Sequence, residues 1–279
     1  MAILEARNVH FSYPDGFKAL NGINLKVAKG EFVALLGANG CGKTTLFQHF
    51  NCLLQPQEGE IFLEGKSSKE KKTEEIFQTV GLVFQDPNDQ LFATGVFEDV
   101  SYGPTNLGLP REDVYARVKE ALELVGMWDL RGRNIRSLSF GQKKRVAVAG
   151  MLALRPRILI LDEPTAGLDP RTASKLMQLL QEVQHKSGLT VILSTHEVDY
   201  VPIYCNRVYV MNQGEIVMAG SPEEVFAQKE KIRQANLRLP RIGHLLEILK
   251  GQDGFNLPGL PALTISTARL QLNRANAAK

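Results

Sequence analysis

Residues 31–44 read Glu31-Phe32-Val33-Ala34-Leu35-Leu36-Gly37-Ala38-Asn39-Gly40-Cys41-Gly42-Lys43-Thr44. An apolar run that feeds straight into a glycine-rich turn predicts a buried strand over 31–36 ending at a phosphate loop. Glycines let the backbone aim its N–H groups at a β-phosphate, and a helix beginning just after adds partial positive charge. In that geometry Lys43 reaches the β- and γ-phosphates, and Thr44 offers its hydroxyl to Mg²⁺. Residues 44–54 are the expected helix. A chance glycine-rich turn has no reason to sit between an apolar strand and a helix. The stretch therefore fixes an α/β nucleotide-binding core and leaves the reaction open.

Outward from this loop, residues 3–9, 61–63 and 80–84 read as short strands, and 66–75 as a charged loop. From about 86 to 155 the pattern turns helical. Residues 111–125 carry Val114, Val118, Ala121, Leu122 and Val125 at helical spacing and stop at Gly126. Ile158–Leu161 is a continuous apolar run of the kind found in a central parallel strand. A helix over 172–185 and a strand over Thr190–Ser194 follow. Residues 208–211 and 215–218 form a hairpin about Gln213-Gly214. Ser221-Pro222-Glu223-Glu224 is a helix start, with a capping serine, an early proline and a glutamate three residues on. A strand-rich start, a helical insertion and then alternating strand and helix suit an α/β core with a helical subdomain.

The chain has 279 residues, is 44% hydrophobic and carries a net charge of +3. It has apolar material for a large core, and its charge is too small to point to nucleic acid. Positive residues thicken late, at Lys229, Lys231, Arg233, Arg238 and Arg241, where a solvated helix face is the expected reading. Cys41, Cys52 and Cys205 form no CxxC pair, so reduced thiols of a cytosolic protein are expected. The N-terminus carries Glu5 and lacks a long apolar core, unlike a signal peptide. No stretch approaches the ~18–20 apolar residues that span a bilayer. If the protein serves a membrane process, another polypeptide must cross the membrane.

Two further stretches carry chemistry. Ile158-Leu159-Ile160-Leu161-Asp162-Glu163 ends an apolar strand in two acids, which places the Asp162 carboxylate near the Mg²⁺ shell of a bound nucleotide. Leu138-Ser139-Phe140-Gly141-Gln142 precedes a helix over 142–154, and a helix start is a natural anion site. With the phosphate loop and the acidic strand, this turn makes the chain resemble the ATP-binding cassette (ABC) family over roughly residues 3–227. The resemblance implies a P-loop NTPase core of the ABC type, with an antiparallel β subdomain and a helical subdomain near 86–155. It implies ATP hydrolysis with Mg²⁺.

Residue by residue, the resemblance puts Gly37, Asn39, Gly40, Cys41, Gly42, Lys43, Thr44 and Thr45 on the ATP phosphates. Tyr13 would stack on adenine. Thr44, Gln85 and Asp162 would serve the metal. Glu163 would polarise the attacking water as general base, and His196, in Leu193-Ser194-Thr195-His196-Glu197, would contact the γ-phosphate. Ser139, Gly141 and Gln142 would act in trans, on ATP held by a second copy, with Asp169 lining the seam. Phe140 stands where the family most often has glycine, and its side chain is expected to point off the nucleotide.

Residues 84–104, with their Gln85-Asp86-Pro87 followed by Gln90-Leu91-Phe92, look like the energy-coupling-factor branch. Within it, Gly-Ala-Asn-Gly-Cys-Gly-Lys and Ser-x-Gly-Gln-Lys-Lys-Arg-Val-Ala most resemble the cobalt-uptake ATPase subunits. That branch implies a homodimer or paired ATPase on the cytoplasmic face of the inner membrane. It also implies a transmembrane coupling protein docked near residues 86–97 and a substrate-binding membrane protein. Nickel or a vitamin are the alternative cargoes. Core packing is the other reading of Gln90, Leu91 and Phe92. Beyond residue 227 an extension, 228–279, is expected. Its helix over 242–249 suits pairing with a mate or packing on its own chain, and 258–279 has weak pattern and is expected to be partly disordered. Soluble cassette ATPases acting on DNA or ribosomes usually show tandem cassettes, a coiled-coil insertion or a basic arm, none of which occurs here. P-loop kinases and GTPases have no place for the 138–142 turn, Gln85 or His196.

Overall fold

The computed structural model describes residues 2–257 and 259–277. Strands β1 (Ala2–Ser12), β2 (Lys18–Ala28) and β3 (Phe32–Leu36) lead into helix α1 (Lys43–Phe50). Then come β4 (Glu58–Leu63), β5 (Lys66–Ser67), α2 (Thr73–Thr79) and β6 (Val80–Val83). Three helices follow, α3 (Val96–Asn106), α4 (Arg111–Leu124) and α5 (Phe140–Ala153). Next are β7 (Ile158–Leu161), α6 (Pro170–Ser187), β8 (Thr190–Ser194) and α7 (Val201–Tyr204). The hairpin β9 (Arg207–Asn212) and β10 (Glu215–Gly220) precedes α8 (Pro222–Ala227), α9 (Lys229–Gln234), α10 (Arg241–Gly251) and α11 (Ile265–Ala277).

One sheet runs β10-β9-β3-β8-β7-β6, parallel from β9 to β6 with β10 antiparallel at its edge. The other is antiparallel, in the order β2-β1-β4-β5. Side chains of the parallel strands divide alternately between two cores. Phe32, Ala34 and Leu36 of β3, with Leu159 and Leu161 of β7, face a core shared with α3 to α6. Val33 and Leu35, with Ile158 and Ile160, face a core shared with α1 and the antiparallel sheet. Burial on both faces is why these strands read as unbroken apolar runs and not as alternating ones.

Local signals account for most boundaries. On α4, Val114, Val118, Ala121 and Leu122 are buried on one face, and the helix yields to Gly126 at φ 64°, in the left-handed region. Helix α6 is capped by Asp169, carries Pro170 in its first turn and ends at Gly188 at φ 67°. Gln213 and Gly214, both at positive φ, close the β9–β10 hairpin. Ser221 and Glu224 form the expected capping box.

Three expectations need correction, and one strand was not expected at all. Helix α1 stops at Phe50, four residues before the expected end; Cys52 turns left-handed at φ 60° and the Leu54 N–H donates back to the Gln48 carbonyl. Residues 66–75 are not a loop throughout. They hold β5, a 3₁₀ turn at Ser68–Glu70 and the start of α2. Strand β2 lay outside the expectations, although Ile23, Leu25 and Val27 are buried in alternation with exposed Asn24, Lys26 and Ala28. The weak pattern of 258–279 hides helix α11; residues 258, 278 and 279 lie outside the described residues. Its Ala268 joins Leu246 of α10 with Leu257 and Ala262 in a small separate core. The late cluster of positive residues is largely held by acids. Glu247 pairs with Lys229 and Arg233, and Asp199 with Arg238 and Arg241.

Gly59 lies at the register shift where β4 pairs with the middle of β1, between the pairing of Glu58 with His10 and that of Glu60 with Arg7. Its φ is 81°, and a Cβ there would lie 2.1 Å from the Asn8 carbonyl oxygen. Gly59→Ala is therefore expected to destabilise the fold by more than about 1 kcal/mol. The check is a lowered urea midpoint at unchanged slope.

Candidate functional site

The site lies at the carboxyl ends of the parallel strands, where open α/β sheets form their ligand crevices. The phosphate loop leaves β3, Gln85 follows β6, Asp162 and Glu163 follow β7, and His196 follows β8. Because β3, β8, β7 and β6 are consecutive neighbours in the sheet, residues far apart in sequence meet along one edge.

Glycine is required in the loop by close approach. A Cβ on Gly37 would lie 2.4 Å from the Met211 carbonyl oxygen, and one on Gly42 2.3 Å from that of Ala19. Gly40 has φ 76° and open space where its Cβ would be, leaving that side of the loop clear. Lys43 is buried, and its ammonium donates to the carbonyls of Gly37 (2.8 Å) and Ala38 (3.0 Å). Cys41 is buried beneath the loop, and burial pushes its thiol up, which disfavours the reactive thiolate.

Asp162 ties three strand ends together. The Thr44 hydroxyl donates to its Oδ2 at 2.5 Å, and the Ser194 hydroxyl to its Oδ1 at 2.5 Å. The Glu163 N–H donates to Ser194 Oγ at 2.9 Å, so Ser194 orients both acids. Glu163 takes φ 46°, an uncommon backbone for a non-glycine residue and a frequent mark of functional sites. Its carboxylate is held on both sides: His196 Nε2 lies 2.5 Å from Oε1, and Gln85 Nε2 donates to Oε2 at 3.2 Å. In this arrangement the carboxylate is placed to take a proton from a water beside it.

Tyr13 sits beside the loop helix. Its hydroxyl is 3.0 Å from Thr45 Oγ1 and its ring lies edge-on to Phe11. Ser139 is the N-cap of α5, with Gln142 reaching back to the Ser139 N–H at 2.9 Å. The helix thus starts at Phe140, two residues earlier than expected, and Gln142 serves the cap. Gly141 lies in the first turn, where a Cβ would be 3.3 Å from Leu168 Cδ2. Among the described residues, no hydrogen bond joins Ser139, Gly141 or Gln142 to the phosphate loop of the same chain. Asp169 caps α6 through the N–H groups of Arg171 and Thr172, and its hydrogen bonds with Thr172 hold its carboxyl below the usual range. So the structure gathers Lys43, Thr44, Asp162, Glu163, Gln85 and His196, and holds the 139–142 turn apart.

Two participants escaped the sequence reading. Ser194 had a usable signal, since it ends an apolar strand two residues before His196. Lys144 had none. It reads as one of a charged pair with Lys143, yet it is 3% exposed.

Residues 20–166 match the ABC transporter family model. This chain belongs to the ABC transporter family. It is 55% identical over 271 residues to the energy-coupling factor transporter ATP-binding protein EcfA of Methanocaldococcus jannaschii, covering 96% of each chain. To EcfA2 of Clostridium perfringens it is 49% identical, covering 97% of this chain and 95% of the relative. Among solved structures, CbiO1 of Clostridium perfringens, described as part of the ABC transporter complex cbiONQ, aligns with TM-score 0.76 and 48% identity. That alignment covers 88% of this chain and 99% of CbiO1. The ATP-binding cassette MJ0796, solved as a dimer in a post-hydrolysis state with ADP and Pi, aligns with TM-score 0.72 and 29% identity over 78% of this chain and 98% of its own. The chain is thus an ABC ATPase of the energy-coupling-factor type, with the mixed α/β cassette fold, and it binds and hydrolyses ATP.

Removing the negative charge of Glu163 while keeping its shape tests its role directly. Glu163→Gln is expected to cut ATP turnover by about 10²-fold or more and to leave ATP binding intact. A coupled ATPase assay beside fluorescent-nucleotide titration measures both; normal turnover in the variant would remove Glu163 from the role of base.

Proposed function

We propose that two copies of this chain close face to face on two ATP molecules and drive an importer for a transition metal ion, cobalt in the first instance. The observation that carries the motor reading is the Glu163 carboxylate held between Gln85 and His196 beside the Thr44–Asp162 pair. Each composite site takes Lys43, Thr44, Asp162 and Glu163 from one chain and Ser139 and Gly141 from the other. Tyr13 stacks on adenine, and Asp169 lines the seam. The dimeric arrangement of MJ0796 supports the pairing.

In each site the phosphate-loop N–H groups and Lys43 hold the phosphates against charge repulsion. Glu163 accepts a proton from the attacking water as oxygen bonds to the γ-phosphorus and the bond to ADP breaks. His196 steadies the γ-phosphate, and the Ser139 hydroxyl with the Gly141 N–H faces it from across the seam. Mg²⁺ fits the residues present. Two hard oxygen donors, Thr44 Oγ1 and Asp162 Oδ2, converge beside the loop, and Mg²⁺ is usually completed by phosphates and water. With Gln85 near the same shell, these residues would hold the ion, which supplies charge neutralisation on the phosphates.

Among the described residues, no helix is long and apolar enough to cross a membrane. Transport then requires membrane partners: a coupling protein and a substrate-binding protein, with this chain peripheral at the cytoplasmic face. A cavity of about 410 Å³ between α3, α5 and the end of β6 suits a helix of the coupling protein. Exposed Phe92, its ring edge-on to Tyr102 at 4.6 Å between centroids, flanks it, so Phe92 is not part of the core. Asp99 shapes this rim by accepting the N–H groups of Phe92 and Ala93. Residues 228–279 are assigned to chain pairing, with Leu245, Leu260 and Leu270 exposed around their small core. Cobalt rests on the likeness to CbiO1.

Two measurements test this reading. Ser139→Arg fills the seam and is expected to abolish turnover while ATP binding to the single chain persists; a fully active variant would overturn the trans site. Purification of the tagged chain from native membranes in mild detergent should recover a multi-spanning coupling protein and a cobalt-binding membrane partner. Recovery with a nickel- or vitamin-binding partner would keep the motor and replace the cargo, and recovery of soluble partners alone would defeat the importer.

A further inference from the structure

Helix α5 carries two side chains that the ATP-site chemistry above does not use. Lys144 is buried, and its ammonium donates to three backbone carbonyls of one loop: Glu163 at 2.9 Å, Pro164 at 3.2 Å and Ala166 at 2.7 Å. An ammonium has three donors, so this one is fully satisfied. One helical turn earlier, the Phe140 ring lies against Gly167, where a Cβ would come 2.9 Å from Phe140 Cε1. Lys144 Nζ stands 5.4 Å from the centroid of the same ring. Between them, Gly141 meets Leu168. One face of the helix start thus grips the whole loop from Glu163 to Leu168, which runs on into the Asp169 cap of α6.

A buried lysine is costly unless its charge is compensated, and simple packing would be better served by an apolar residue. Burial pushes the Lys144 ammonium down to about 8, and the nearby Glu163, Asp86 and Asp162 carboxylates oppose that fall. It therefore stays mostly charged at neutral pH and keeps its three acceptors. The gripped loop begins at the residue with φ 46°, contains Gly167 at φ 75°, and is closed internally by two turn hydrogen bonds, from the Ala166 N–H to the Glu163 carbonyl and from the Leu168 N–H to the Thr165 carbonyl.

We propose that Phe140 and Lys144 mechanically couple the two ATP sites, by locking the 139–142 turn that reads nucleotide in one site to the loop that presents Glu163 in the other. The inference rests on the trans-site reading above. Ser139 and Gly141 of a chain serve one site and Glu163 of the same chain serves its twin. When nucleotide engages the start of α5, a rigid helix carries Lys144 with it, and the carbonyl of Glu163 follows. Phe140 and Lys144 are positioning residues, since neither touches the reacting atoms. The coupling is reciprocal, so each ATP favours the productive geometry at the other site.

The test is the ATP dependence of hydrolysis by the purified full chain, with nucleotide affinity measured in parallel. The wild-type Hill coefficient is expected to lie well above one, toward the limit of about two set by two sites. Lys144→Met is expected to bring it to about one, lowering kcat while single-chain ATP affinity stays within about twofold. Phe140→Ala, at a side chain partly in solvent, should move it the same way and keeps the test decisive if Lys144→Met does not fold. An unchanged Hill coefficient in a folded variant, even with reduced kcat, leaves only a structural role and overturns the proposal, as does a wild-type coefficient of one. ATP-driven dimerisation in the Glu163→Gln background separates the two levels. Its absence overturns the trans-site reading and the coupling together, and its presence with an unchanged Hill coefficient overturns the coupling alone.

Discussion

The Asp162 carboxylate is the interaction on which the site depends. It sits 5% exposed at the end of β7, with Thr44 from the first turn of α1 on one oxygen and Ser194 from the end of β8 on the other. A buried carboxylate is tolerable only when it is hydrogen-bonded or paired. These two hydroxyls give each of its oxygens one donor and, in doing so, fix the relative height of three parallel strands. Ser194 also receives the Glu163 N–H, so the neighbouring acid is placed by the same anchor. From there the arrangement extends to Gln85 and His196 on either flank of Glu163.

The sheet makes such an anchor possible. Parallel strands put all their carboxyl ends on one edge, and burial on both faces lets two cores hold that edge rigid. The helices on the far side then add reach. Helix α5 begins beside the loop after β7 and is pinned there by Phe140 and Lys144. Along its length Lys143 donates to Asn88 and Gln90 donates to the Ala147 carbonyl, which ties the helix to the segment that follows Gln85. The surface beside Phe92 and Tyr102, the start of α5 and the Glu163 loop are therefore parts of one connected body.

Much of this was legible in the sequence because the signals are local. Glycines at the phosphate loop answer to backbone approach, the apolar run 158–161 answers to burial on two faces, and Ser221 with Glu224 answers to unpaired N–H groups at a helix start. Strand β2 was equally local in its alternation of Ile23, Leu25 and Val27, and needed only to be counted. Helix α11 was harder. Its apolar residues, among them Leu270 at 56% exposure, do not form a clean stripe, and what orders it is contact with α10. The positive residues after 228 could not be matched to Glu247 and Asp199 from spacing, because Asp199 lies some forty residues upstream of its partner Arg241.

By itself the sequence determined the strand–loop–helix that receives phosphate, the acidic strand end and the identity of the chain as an ABC cassette. These are carried by residues adjacent along the chain. Only the tertiary structure decided that Ser194 orients both acids, that Glu163 is gripped by Gln85 and His196, and that Lys144 is a buried cation and not half of a solvated pair. Each of those depends on elements brought side by side by the order β3-β8-β7-β6 and by the packing of α5. Hydrogen bonds to a buried charge act over about 3 Å of space, whatever the separation in sequence.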